Sequence, residues 1–190
     1  MTPASRPQAR PTRPALLVID MQNTLVGIAH RPVETVTAIA GLRARARAAG
    51  VPIVTVQHQD GELVAGTDGW RIAPELTPGD DEVVVPKSTP DGFLGTELDR
   101  TLRQLDVTEV VVTGFATEIC VDTTARAALG LGYDLLLVED GHTTSVRPDT
   151  GPYAAPDPSI AHHNEIFRNL HYPGRRSRVL PAARVDFDAR

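Results

Sequence analysis

Residues 110–130 read VVVTGFATEICVDTTARAALG. A β-branched apolar run passes through Gly114 into a short polar turn, then into a segment whose apolar residues recur at helical spacing. That order predicts a strand feeding directly into a helix. The strand has no alternating polar positions, the pattern of a strand buried on both faces of a parallel sheet. Cys120, the only cysteine in 190 residues, falls at the junction.

The same unit recurs on either side. "ALLVID" (15–20), "PIVTVQH" (52–58), "EVVVP" (82–86), "EVVVTG" (109–114) and "DLLLVED" (134–140) read as doubly buried strands. Between them "VETVTAIAGLRARARAAG" (33–50), "GTELDRTLRQLD" (95–106) and "VDTTARAALGLG" (121–132) carry apolar residues at helical spacing. "DPSIAHHNEIFRNL" (157–170) reads as one more helix and "SRVLPA" (177–182) as a last strand. Strand alternating with helix predicts an α/β fold with a mainly parallel sheet covered on both faces.

Composition sets outer limits. A chain of this length fits one domain with one sizeable core, read here as residues 15–190. Residues 1–14, rich in Arg and Pro, lack the continuous apolar region of a secretory signal and read as a mobile arm. No run is long enough to span a bilayer, so no membrane partner is expected. A net charge of −5 without an extended basic block argues against nucleic acid. One cysteine cannot form an internal disulfide, which fits a cytoplasmic location. The segment 59–81, rich in Gly, Pro and Asp and holding Trp70, is too long for a plain turn and reads as a functional loop or lid.

Ligands of open α/β sheets bind beyond the carboxyl ends of the strands. Three such ends carry reactive groups: Asp20 after the first strand, Lys87 after the third, and Cys120 beyond the fourth. Singly, each has a plain reading as a turn cap, a solvated lysine or a small buried hydrophobe. Together they make a carboxylate, an amine and a thiol facing one crevice. With Thr117 as a helix N-cap, Cys120 would occupy the third helical position, where free N–H groups and the helix dipole lower a thiol's pKa. Such a thiol suits attack on a carbonyl, with Asp20 as proton acceptor and donor and Lys87 stabilising charge. A dinucleotide-binding oxidoreductase would need Gly-x-Gly-x-x-Gly where this chain has "DMQNTL". A thiol–disulfide enzyme would need a resolving cysteine.

The stretches "LLVIDMQN", "VPIVTVQH", "GTDGWRIAPEL", "VVPKSTPDGFLGTELDRTLRQL", "VVVTGFATEICVDTTARAALGLGYDLLLVED" and "IAHHNEI" resemble those of the isochorismatase-like cysteine hydrolases, over about residues 15–170. That superfamily includes nicotinamidases, N-carbamoylsarcosine amidohydrolase, ureidoacrylate amidohydrolase and streptothricin hydrolase. The resemblance implies a three-layer α/β/α sandwich around a doubly wound sheet. It also implies a catalytic triad of Asp20, Lys87 and Cys120, a cis peptide between Phe115 and Ala116, and an oxyanion hole from the N–H groups of Ala116 and Cys120. A homodimer or homotetramer and a small-molecule amide substrate follow in the same way.

Nicotinamidases of the superfamily hold a divalent metal through an Asp-x-His pair after the second strand and a further His. Here His58 and Asp60 stand in the opposite order and the following loop has no His, so neither a metal nor another cofactor is expected. Asn23, His58, Trp70, Phe93 and Phe115 are candidate pocket walls, each with a structural alternative as cap, core or loop anchor. His162 and His163 read as structural. Isochorismatase-type cleavage of a vinyl ether, which some relatives perform without the thiol, and a catalytically idle binding protein are the alternative functions.

Overall fold

A computed structural model describes residues 11–148 and 150–188. Six strands, β1 (Pro14–Ile19), β2 (Ile53–His58), β3 (Val83–Lys87), β4 (Glu109–Phe115), β5 (Asp134–Thr143) and β6 (Ser177–Leu180), form one sheet in the order β3-β2-β1-β4-β5-β6. Every neighbouring pair is parallel. The winding reverses between β1 and β4, so the crevice for a ligand lies beyond the carboxyl ends of those two strands.

Among the described residues five α-helices flank the sheet: α1 (Asn23–Gly27), α2 (Pro32–Ala48), α3 (Leu98–Gln104), α4 (Asp122–Leu131) and α5 (Pro156–Asn169). Strand parity divides the core. Ala15, Leu17 and Ile19 of β1 pack with Leu98, Leu102, Ala125, Ala128 and Phe167 from α3, α4 and α5. Leu16 and Val18 point the other way, onto Val36, Ile39, Leu42 and Ala46 of α2. The result is the three-layer sandwich. In α2, the spacing of Val36, Ile39, Leu42 and Ala46 makes the buried stripe, and Arg43 is buried beside it. Its guanidinium bonds the Glu82 carboxylate at 2.6 Å and the Thr77 carbonyl at 2.9 Å, tying α2 to the segment that leads into β3.

Most strands lie where the apolar runs placed them. The exception is β5, which continues three residues beyond Asp140 by way of a register shift against β4, pairing His142 with Gly114 and Thr143 with Phe115. Gly141 makes the detour possible: a Cβ there would come within 2.7 Å of Val138 Cγ1. The last residues of the stretch expected as an arm belong to the fold. Pro14 already belongs to β1, and the Arg13 N–H bonds Thr108 Oγ1 at 2.9 Å, while residues 1–10 lie outside the described residues. Among the described residues, no helix is long and apolar enough to cross a membrane.

Candidate active site

Asp20, Lys87 and Cys120 meet at the reversal point of the sheet. Lys87 Nζ lies 2.7 Å from Asp20 Oδ2 and donates to Cys120 Sγ at 3.3 Å and to the Thr89 carbonyl at 3.1 Å. The two charged side chains are sealed, at 1% exposure or less, whereas the thiol is only partly covered. The backbone prepares this meeting. Asp20 takes a left-handed conformation (φ 53°) directly after β1, with its N–H bonded to the Val56 carbonyl at 2.8 Å. Gly114 lets β4 lie against β1 at that level; a Cβ there would sit 2.7 Å from Ile19 N and nearer still to the Ile19 carbonyl oxygen.

The electrostatics correct one expectation. Burial, followed by the negative charge of Asp20, pushes the Cys120 thiol up to about 12 despite the nearby ammonium. The helix-terminus argument fails because Thr117 is not the cap. Ala116 caps a π-helical turn, Thr117–Val121, and burial is the largest influence on the thiol there. The resting site is therefore a neutral thiol beside an ion pair. Asp20 is raised above the usual carboxylate range by burial, against the pull of Lys87, and its Oδ1 is buried without a hydrogen-bond partner among the described residues.

The turn has its own hydrogen-bond logic. Phe115 and Ala116 are joined by a cis peptide bond. The Ile119 and Val121 N–H groups both bond the Ala116 carbonyl, and the Asp122 N–H bonds that of Thr117. This wide i to i+5 winding passes over Cys120, whose N–H bonds neither the Phe115 nor the Ala116 carbonyl. The Ala116 N–H likewise has no acceptor among the described residues. The Ala116 donor, at the start of the turn that carries Cys120, is thus left open among the described residues.

Side chains on either side of the turn anchor it. Thr117 Oγ1 bonds His142 Nδ1 at 2.8 Å, and His142 Nε2 bonds Asn164 Oδ1 at 3.0 Å. Asn164 also donates to the Glu139 carbonyl, which fixes its amide and makes His142 Nε2 the protonated nitrogen. Glu118 accepts hydrogen bonds from Thr144, Arg147 and Ser159. Burial works to raise its carboxyl, but Arg147 and Thr144 outweigh burial and hold it below the usual range. The sequence reading missed His142 and Asn164. His142 lies two residues past the run "DLLLVED", and Asn164 stands in "AHHNEI", where attention went to His162 and His163.

Complete burial lowers His142 to about 4. An unfolded histidine titrates near 6.5. Between those values the unfolded chain takes up a proton that the folded chain refuses, so stability falls as the pH drops from 6.5 to 4 and levels off below. His142 should account for about 3 kcal/mol of that fall. His142→Asn, which keeps an acceptor for Thr117, should flatten the fall by that amount. Urea denaturation at pH 7 and pH 4.5 would measure it; equal slopes for both proteins would refute the assignment.

The segment 59–81 is stitched down rather than hanging free. Gln22, fully buried, donates to the His58 carbonyl at 2.9 Å and to the Trp70 carbonyl at 2.8 Å, and accepts from the His58 N–H. Asn23 donates to the Asp68 carbonyl at 2.9 Å, so its amide pins this loop. Phe93 stacks on Tyr133 with ring centroids 6.0 Å apart, in the core layer that Cys120 borders. Phe115 is buried in the opposite layer, beneath α2. The Trp70 indole N–H is buried without a partner among the described residues. His58 stands behind Lys87, 3.2 Å from its Nζ, and bonds Asp60 at 3.0 Å. Those two side chains are committed to Lys87 and to each other, and no group of three or more His, Cys, Asp or Glu side chains gathers among the described residues as a metal site requires.

Residues 14–152 match the family model of the isochorismatase domain. The chain belongs to the isochorismatase family. It is 41% identical over 150 residues to a streptothricin hydrolase of Streptomyces noursei, a match covering 75% of this chain and 52% of that relative. A second streptothricin hydrolase of the same organism is 38% identical and covered over 60% of its length, so the chain spans between half and three-fifths of the length of these two relatives. The ureidoacrylate amidohydrolase RutB of Variovorax paradoxus is 30% identical over 189 residues, covering 72% of this chain and 75% of the relative. Among solved structures, the N-carbamoylsarcosine amidase of Thermoplasma acidophilum superposes with a TM-score of 0.72 at 27% identity, covering 92% of this chain and 99% of that one.

Proposed function

We propose that the protein is a metal-independent cysteine hydrolase that cleaves the C–N bond of a small amide through a thioester. One observation carries this reading: a partly exposed thiol, a buried carboxylate with one free oxygen, and an ammonium converge where the sheet reverses. The relatives named above, hydrolases and amidases, support the same bond class.

Because the resting sulfur is protonated, deprotonation must accompany attack. The sulfur adds to the carbonyl carbon while its proton passes to the free oxygen of Asp20, whose raised pKa makes it a better base than an ordinary aspartate. Negative charge forming on the carbonyl oxygen meets the N–H groups of Ala116 and Cys120. Asp20 returns the proton to the leaving nitrogen as the C–N bond breaks, which leaves an acyl group on sulfur. A water molecule, its proton taken by Asp20, then adds to the thioester. The acid departs as the thiol regains that proton. Lys87, 2.7 Å from Asp20 Oδ2, steadies the Asp20 carboxylate.

An ammonia-release screen against nicotinamide, ureido compounds and maleamate-like amides tests the reading, with mass detection of ring opening for streptothricin-type lactams. At least one should turn over, with its acyl mass trapped on Cys120. No turnover and no adduct across the panel would defeat the amide assignment. Hydrolysis of a vinyl ether without an adduct would move the assignment to that reaction.

A further inference from the structure

Lys87 has three N–H donors and four acceptors around it: Asp20 Oδ2 at 2.7 Å, the Thr89 carbonyl at 3.1 Å, His58 Nδ1 at 3.2 Å and Cys120 Sγ at 3.3 Å. Three of these accept in any state relevant here. His58 accepts only if its Nδ1 carries no proton, and that depends on the ring's other nitrogen.

Asp60 settles the tautomer. Its Oδ2 lies 3.0 Å from His58 Nε2, while its Oδ1 accepts the N–H groups of Glu62 and Leu63 at 2.8 and 2.7 Å. Those backbone bonds, Leu63 first, hold the Asp60 carboxyl down to about 2, so it is a carboxylate and can only accept. The proton between Asp60 and the ring therefore sits on Nε2, and Nδ1 presents its lone pair to Lys87. We propose that His58, its tautomer set by Asp60, is a positioning residue that holds the Lys87 ammonium in place against Asp20 and Cys120. The proposal rests on the reading of those three groups as the reacting set.

A purely structural view of the pair is that Asp60 closes the tight turn 60–63 and His58 ends β2. Asp60→Asn separates the two views. The amide oxygen can keep the Glu62 and Leu63 bonds, but the amide NH₂ now faces Nε2 and favours a proton on Nδ1, donor against donor at Lys87. His58→Asn places a side-chain oxygen where Nδ1 stands and needs nothing from residue 60.

The probe is p-nitrophenyl acetate, with the first-turnover release of p-nitrophenolate reporting acyl transfer to Cys120. Asp60→Asn should slow that step roughly a hundredfold, the effect of a reacting group displaced by about an ångström. Adding His58→Asn to Asp60→Asn should recover at least tenfold of that loss, because the asparagine oxygen accepts whatever stands at residue 60. Nitrogen-15 NMR of the imidazoles supplies a readout that involves no turnover: His58 should show a pyridine-type Nδ1 and a pyrrole-type Nε2, exchanged in Asp60→Asn. A parent protein with the reverse tautomer, an undiminished burst in Asp60→Asn, or a double variant no faster than Asp60→Asn would overturn the proposal. If Cys120→Ala gives the same burst as the parent protein, the reading of the reacting set itself fails and the proposal with it. A normal burst with no amide hydrolysed would defeat only the substrate class.

Discussion

Cys120→Ala should reduce amide hydrolysis by on the order of 10⁴-fold or more, leaving only what binding and polarisation of the carbonyl supply. The fold should survive the change. The thiol is neutral at rest and partly exposed, and its removal leaves the Asp20–Lys87 ion pair, together with the Thr89 and His58 acceptors, intact. A melting temperature within a few degrees of the parent protein, alongside the lost kcat/KM, would separate chemistry from stability. Retained hydrolysis in that variant would remove sulfur from the mechanism. Cys120→Ser should behave nearly as badly, because a hydroxyl in the same place is harder still to deprotonate than a thiol already raised to about 12.

Gly114→Ala should cost the fold itself. Gly114 sits at φ 127°, a conformation that side chains rarely adopt, and an added Cβ would drive into the Ile19 backbone of the adjacent strand rather than into a movable side chain. Backbone strain and overpacking at one position together amount to about 4 kcal/mol, a large fraction of the 5–15 kcal/mol that typically holds a domain together. Denaturant melts should show the loss directly, and an insoluble product would agree with it. Gly130→Ala, with open space around the same atom, is the control and should shift the midpoint little. A Gly114→Ala protein as stable as that control would mean that β1 and β4 do not approach as closely as the structure has them.

Much of this architecture is legible in the chain because doubly buried strands leave an unmixed apolar record. Val110, Val111 and Val112 could hardly belong elsewhere than in a central strand, and the polar residues that end such runs point to Asp20 and Lys87. The extension of β5 was hidden because "EDGH" reads as a stop. Only in three dimensions does Gly141 permit a detour that carries His142 back beside β4. The state of Cys120 was also hidden. Spacing suggests a helix start, but the actual winding of Thr117–Val121 and the depth of the sulfur depend on contacts that no local pattern encodes. Gln22 escaped notice for a related reason: one glutamine inside "DMQN" gives no sign that it joins the ends of two distant segments.

The joining role of Gln22 has a practical consequence. It holds the segment 59–81 largely through main-chain carbonyls, while Glu62, Val64, Ala65, Gly66 and Thr67 project outward and are exposed. What grips the loop is thus largely indifferent to what its tip displays. Short cassettes should therefore be exchangeable at 64–67 without disturbing the machinery at the strand ends.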